Sequence, residues 1–220
     1  LRTDIDGKRR KFGQRHNSCP NSPAYRKFSV KLTGELAKHY KDQKNIVAWH
    51  VSNEYGGSCY CDNCEKAFRE WLRKKYQTMD ALNKAWNTNF WGHTFYEWDE
   101  IVLPSLLSES VSEDMAIFHG MLLDYKRFNS EGMMQNYIDE YNEIKKYIPD
   151  ARITTNFMGT YKPLDYQKWA PYLDMISWDN YPGPGEEPAY AAMVHDIMRG
   201  VKKDQPFMLM EQTPGVVNWR

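Results

Sequence analysis

Apolar and polar positions alternate along the chain in two periods, and the periods take turns. A polar stretch rich in turn formers runs from residue 1 to 23 and ends in Cys19-Pro20-Asn21-Ser22-Pro23. Ser22 at the N-cap and Pro23 at the first helical position predict a helix from there to about His39. The run Ile46 to Asn53 reads as a buried strand. Helical spacing then returns over Asn63 to Tyr76, with Ala67, Phe68, Trp71 and Leu72 on one face, and over Met79 to Trp86. Residues 87–110 read as a long aromatic loop. From Ser112 to Ile148 a stripe that includes Phe118, Met121, Leu122, Tyr125, Phe128, Met134, Tyr137, Tyr141 and Ile144 predicts a long helix, which Pro149 ends. The last third gives a strand at Ala151–Phe157, a short helix near Leu164–Ala170, a strand at Met175–Trp178, a helix over 188–200 and a strand at Phe207–Met210.

Strands alternating with helices over four units predict an α/β fold with a parallel sheet and right-handed crossovers. The order alone fits a barrel or an open sheet. No glycine-rich phosphate fingerprint follows any of the four strands, which argues against a nucleotide-binding doubly wound fold. The 220 residues suffice for one large domain, taken as 1–220. The chain opens at Leu1 inside a loop-like stretch and stops at Arg220 without a terminal element, so a piece of a larger protein is expected.

Charge narrows the choice of partner. Lys and Arg number 29 and so do Asp and Glu, with no basic stripe for nucleic acid. No apolar run approaches the roughly 20 residues that cross a membrane. The 8 Trp, 15 Tyr and 9 Phe fit a packed core, and they also fit a sugar-binding cleft, where flat rings cover the C–H faces of pyranoses.

All four cysteines are grouped in a way that suggests a metal. Cys59, Cys61 and Cys64 form C-x-C-x2-C in the loop after the first strand, and Cys19 lies upstream. Four thiolates satisfy a closed, structural Zn²⁺ site. Two disulfides or buried free thiols are the alternatives, although three cysteines within six residues are hard to place in two unstrained bridges.

Two acids carry the candidate chemistry. Glu54 ends the first apolar strand and Glu211 ends the last. Parallel α/β folds place their sites at the carboxyl ends of strands, and glycoside hydrolysis needs two carboxyl groups facing one bond. Each acid has a plainer reading as a helix cap or salt-bridge partner, and the pair favours catalysis over it. Asn53 has a plain reading as a turn residue, Arg15 as a solvated cation, and Trp91 and Trp219 as core.

Longer motifs carry a family resemblance. Trp49-His50-Val51-Ser52-Asn53-Glu54-Tyr55-Gly56 through Cys59-Tyr60-Cys61-Asp62-Asn63-Cys64 resembles family 42 β-galactosidases. So do Phe68-Arg69-Glu70-Trp71-Leu72, Leu82-Asn83-Lys84-Ala85-Trp86, Phe90-Trp91, the segment from Phe12 to Pro23, and Met210-Glu211-Gln212-Thr213-Pro214-Gly215-Val216-Val217-Asn218-Trp219. The resemblance implies part of a (β/α)8 TIM barrel, roughly strands 4 to 7 with the loop before them. It implies a retaining β-galactosidase acting on terminal β-D-galactosides, with Glu54 as acid/base and Glu211 as nucleophile. Arg15, Asn53, Trp91 and Trp219 fall where the family contacts galactose, and Tyr181 is a further pocket candidate. The family also implies zinc on Cys19, Cys59, Cys61 and Cys64, a homotrimer, and a cytoplasmic location that suits reduced cysteines. Two other readings stay open: a related glycosidase acting on α-L-arabinopyranosides or β-D-fucosides, and a non-catalytic, zinc-stapled carbohydrate-binding module.

Overall fold

The computed structural model describes residues 1–13, 15–108 and 119–213. They divide into two compact units, one of residues 1–28 and 57–133 and one of residues 29–56 and 134–220.

The first unit is built on helices. Helix α1 (Pro23–Tyr40), whose first turns belong to it and whose remainder belongs to the second unit, begins as its sequence predicts: the Tyr25 amide donates to Ser22 Oγ at 3.3 Å, which satisfies one of the orphan donors of the first turn. Helix α2 (Asp62–Tyr76) and helix α3 (Met79–Trp86) follow one another, and the Ala81 amide donates to the Thr78 cap of α3 at 3.2 Å. The first part of α4 (His119–Tyr147) completes this unit, while residues 112–118, also expected to be helical, lie outside the described residues. The α2 positions with helical spacing are the ones that pack. Phe68 and Leu72 are buried with Leu82, Ile101, Met121, Tyr125 and Phe128. Phe68 stands edge-on to Tyr125 at 5.1 Å and tilted against Phe128 at 5.3 Å, distances at which aromatic pairs attract beyond area burial. The aromatic loop is not structureless: short 3-10 turns form at Phe90–Gly92 and Trp98–Glu100.

The second unit holds the strands, all parallel. Strand β1 (Trp49–His50) pairs with β2 (Ile153–Thr154), and β3 (Asn156–Phe157) pairs with β4 (Ser177–Asn180), which pairs with β5 (Met208–Gln212). Only Thr155 separates β2 from β3, so the expected single strand over 151–157 is present as two short ladders. The expected strand over 46–53 keeps regular pairing at only two residues. Among the described residues β1 pairs on one side alone, and an edge strand keeps less regular pairing than a flanked one. The helices α5 (Tyr166–Trp169) and α6 (Pro188–Val201) lie between strands as crossovers.

The two faces of these strands differ. One carries Ile153, Phe157 and Trp178, which are buried. Phe157 stacks on Tyr166 at 4.0 Å and stands edge-on to Trp169 at 5.9 Å, and Trp169 in turn contacts Tyr55 and Tyr137. The other face carries Thr154, Asn156, Ser177 and Asp179, also buried but polar, and joined by hydrogen bonds: Thr154 Oγ1 lies 3.3 Å from Ser177 Oγ, and Asn156 Nδ2 donates to Asp179 Oδ2 at 2.5 Å. Strand residues two apart share a face, so the polar set is a consequence of period-two geometry. Buried polar groups are costly unless paired, and here Thr154 pairs with Ser177 and Asn156 with Asp179.

Phe68 has no exposed surface and touches several rings, so Phe68→Ala is expected to cost about 3–5 kcal/mol. Denaturant unfolding measures it, and a loss under about 1 kcal/mol would contradict this packing.

Candidate active site and cysteine cluster

Each acid is placed by a local irregularity. Glu54 follows β1 in a short bend and has φ 46°, with Ser52 at φ 58°. Non-glycine residues in the left-handed region are uncommon and cost about 1–3 kcal/mol each, and such strain gathers at functional sites. The Glu54 amide is anchored, donating to Asn156 Oδ1 at 2.8 Å. Glu211 owes its position to a bulge. Trp178 pairs with Leu209, but Asp179 pairs with Glu211, so the register slips by one residue and Met210 is the extra one. Slipping by one turns a strand side chain to the opposite face. The bulge thus sets Glu211 beside Asp179 on the polar face.

Three carboxyl groups meet there. Glu54, Asp179 and Glu211 each offer an oxygen within 4.8 Å of the other two. Asn156 sits among them with no exposed surface. Its Nδ2 donates to Asp179 Oδ2 at 2.5 Å and reaches Asn53 Oδ1 at 3.2 Å and Glu211 Oε1 at 3.3 Å. Its Oδ1 accepts from the Glu54 amide and from His50 Nε2 at 2.9 Å. The Glu54 N–H, which can only donate, fixes which end of the amide is the oxygen, and so the NH₂, with two hydrogens, faces the acids. Tyr181 OH donates to Glu211 Oε2 at 2.6 Å, so both oxygens of Glu211 are held. That bond to Glu211, and burial after it, push the Tyr181 hydroxyl up to about 12. Burial first, then the charges of Glu211 and Glu54, push Asp179 up to about 7.

Of the residues singled out from sequence, Glu54, Glu211, Asn53 and Tyr181 converge in this network. Arg15 and Trp91 belong to the other compact unit. Arg15 is exposed and borders a polar cavity of about 780 Å³ with Arg2, Asp4, His16, Asn17 and Tyr60. Trp91 is exposed, has φ 54°, and stacks on Phe90 at 4.6 Å. Trp219 lies outside the described residues. Sequence reading missed Asn156, Asp179 and His50. Asn156 and Asp179 are polar residues at the ends of apolar strands, the same signal that marked the two glutamates.

In the helical unit the four cysteines form a second cluster, their sulfurs within 4.8 Å of one another and none in a disulfide. Cys19 Sγ lies 3.4 Å from Cys64 Sγ and 3.5 Å from Cys61 Sγ, and Cys61 to Cys64 is 3.9 Å. The Asn21 amide and Asn21 Nδ2 point at Cys19 and Cys64 at 3.3 and 3.4 Å. The neighbouring thiols Cys59 and Cys64, with burial, push the Cys19 thiol up.

A family model described as β-galactosidase, glycoside hydrolase family 42, matches residues 1–220. The chain belongs to this family. It is 59% identical over its whole length to the β-galactosidase BgaP of Planococcus sp. (strain L4), covering 32% of that protein. The β-galactosidase LacZ of Lactobacillus acidophilus is 51% identical over the whole chain, which covers 33% of it. The crystal structure of β-galactosidase from Bacillus circulans sp. alkalophilus superposes with a TM-score of 0.96 at 59% identity, matching all of this chain and 33% of that one. The chain therefore spans about a third of the family 42 relatives it matches. Among the described residues no helix is long and apolar enough to cross a membrane.

Asp179 also makes stability depend on pH. Its folded-state value of about 7 lies above the ordinary 3.8, so its contribution is full below about 4 and is lost as pH rises through 7. Asp179→Asn should therefore gain stability relative to the parent sequence over that window, measured by denaturant unfolding at a series of pH values. A difference that does not change with pH would contradict the burial of this charge.

Proposed function

We propose that this chain is the part of a (β/α)8 barrel that holds both catalytic acids of a retaining β-galactosidase, comprising roughly barrel strands 4 to 7 and the loop before them. On this reading residues 1–220 are a partial catalytic domain. The observation that carries it is the approach of Glu54 and Glu211 to within 4.8 Å. Retaining glycosidases hold their carboxyl groups about 5–5.5 Å apart, and inverting ones about 6.5–9.5 Å to admit a water. The close approach supports the retaining geometry.

Glu211 is the nucleophile. Tyr181 and Asn156 each bind one of its oxygens, which orients the carboxylate toward an anomeric carbon. Glu54 is the acid/base: protonated, it donates to the leaving oxygen, and ionised, it takes a proton from the attacking water. Asn53 lies beside it for the sugar 2-hydroxyl, and Arg15, Trp91 and Trp219 are further galactose contacts. The substrate is a terminal β-D-galactoside. The paired, hydrogen-bonded acids argue against a module that only binds sugar, because binding needs no acid/base couple.

The four thiols fit a structural zinc. Tetrahedral coordination at about 2.3 Å places sulfurs about 3.8 Å apart, and three of the pairs here lie at 3.4, 3.5 and 3.9 Å. Asn21 donates to two of the sulfurs, as outer partners of metal ligands do. Cys19, Cys59, Cys61 and Cys64 would hold the ion, which supplies folding energy and takes no part in the reaction. A homotrimer in the cytoplasm completes the reading.

In the full-length enzyme, Glu211→Gln and Glu54→Gln should each lower kcat for an aryl β-galactoside by at least about a thousandfold, near 4 kcal/mol of barrier. Azide should restore turnover to Glu211→Gly. Wild-type turnover in both glutamine variants would end the assignment, and faster turnover of arabinopyranosides or fucosides would move the substrate. Metal analysis should find stoichiometric zinc, lost with a lowered melting temperature in Cys61→Ser. A zinc-free protein of undiminished stability would refute the metal site.

A further inference from the structure

Asp179 has no part in the two-carboxylate scheme, yet it is the most buried of the three acids, 8% exposed. Its two oxygens are unlike. Oδ2 accepts from Asn156 at 2.5 Å, whereas Oδ1 is buried with no hydrogen-bond partner among the described residues. A bare carboxylate oxygen in that position is costly. A proton on Oδ1 removes the cost, provided an acceptor is near, and Glu54 and Glu211 each bring a carboxyl oxygen within 4.8 Å of an oxygen of Asp179.

Three carboxylates at this spacing cannot all be ionised. The nucleophile must be. Tyr181 and Asn156 both donate to Glu211, and donors favour a charged acceptor. The proton therefore belongs with the remaining two. Resting on the assignment of Glu54 as acid/base, we propose that Asp179 is a positioning residue that shares a proton with Glu54 and so keeps the acid loaded in the resting enzyme.

The groups facing Asp179 agree with this. Glu54 reaches it from the bend after β1, Glu211 from β5 and Asn156 from β3, with Tyr181 beyond β4 and His50 of β1 behind Asn156, while the Tyr166 hydroxyl of α5 feels its charge from the aromatic side. Glu211 and Glu54 oppose its ionisation while Asn156 favours it, and burial leaves the carboxyl titrating near neutrality.

The proton count closes over a cycle. As the bond from Glu211 to the anomeric carbon forms and the bond to the leaving oxygen breaks, the shared proton leaves through Glu54 to that oxygen. The Glu54–Asp179 pair goes from one negative charge to two at the moment Glu211 loses its own to the ester. In the second half, water attacks the anomeric carbon, its proton passes to Glu54, and the pair is reloaded as Glu211 departs ionised.

The test is the pH profile of kcat/KM for the full-length enzyme and for Asp179→Asn, with phenyl and 2,4-dinitrophenyl β-galactosides. If a shared proton is lost, the alkaline limb for the phenyl substrate should fall by at least about one pH unit, the coupling expected of interacting acids. With the dinitrophenyl substrate, whose leaving group needs no proton, the limb should stay in place. A uniform loss of rate at every pH, alike for both substrates, would overturn the proposal and leave Asp179 a packing residue. Failure of the full-length enzyme to hydrolyse either galactoside would instead defeat the glycosidase reading. Should the variant not fold, infrared spectra of the wild-type enzyme labelled with ¹³C-aspartate give the second reading. A protonated-carboxyl band that shifts with the label and vanishes as pH rises through neutrality is expected, and its absence would equally overturn the proposal.

Discussion

Repulsion among three acids in a few ångströms is the constraint around which the strand-bearing unit is organised. Left alone, Glu54, Asp179 and Glu211 would turn away from one another or collect protons without order. Asn156 prevents this. One buried amide joins the Glu54 backbone, Asn53, Asp179, Glu211 and His50, so the acids are set by a common centre. The left-handed backbone at Glu54 and the bulge at Met210 are the local strain that this arrangement tolerates. Both irregularities lie where the polar face must present a carboxylate.

A rigid support makes such strain sustainable. Behind the polar face, Phe157, Tyr166, Trp169, Tyr137 and Tyr55 form a contiguous aromatic cluster. Large rings pack with few soft degrees of freedom, so strands seated on them have little room to relax. The helical unit has its own core around Phe68 and Tyr125, and its loops meet at the cysteines: Tyr125 OH donates to the Cys59 carbonyl, and Cys19 and Cys64 are themselves part of the buried core. A cluster of thiols at the junction of two loops does for those loops what Asn156 does for the acids. It replaces many weak preferences with one centre.

Elements were legible from sequence where local chemistry and burial agree. Helix α3 runs from Met79 to Trp86 as expected, because Thr78 caps it and its apolar positions face the core. Strands were less so. The apolar run from Ile46 to Asn53 forms ladder pairing only at Trp49 and His50, and pairing at Ser177 extends past Trp178 into Asp179 and Asn180. Strand limits depend on which neighbour is present to pair, and no property of the run itself contains that information. Glu54, Asn53, Glu211 and Tyr181 stood out because motifs of this length are specific. Asn156 was overlooked because a lone asparagine within Thr154-Thr155-Asn156 looks like any strand-end polar residue.

By itself the sequence determined the alternation of strands and helices, the two glutamates that end apolar strands, the grouping of the cysteines and the family to which the chain belongs. Each is written in a short stretch of residues, where spacing and type act directly. Only the tertiary structure decided that Asp179 joins the glutamates, that Asn156 ties all three together, and that Met210 is the residue displaced so that Glu211 faces the polar side. Those outcomes depend on the register between strands some 20 to 100 residues apart. A slip of one residue in that register reverses which side chains meet, and no local pattern records it.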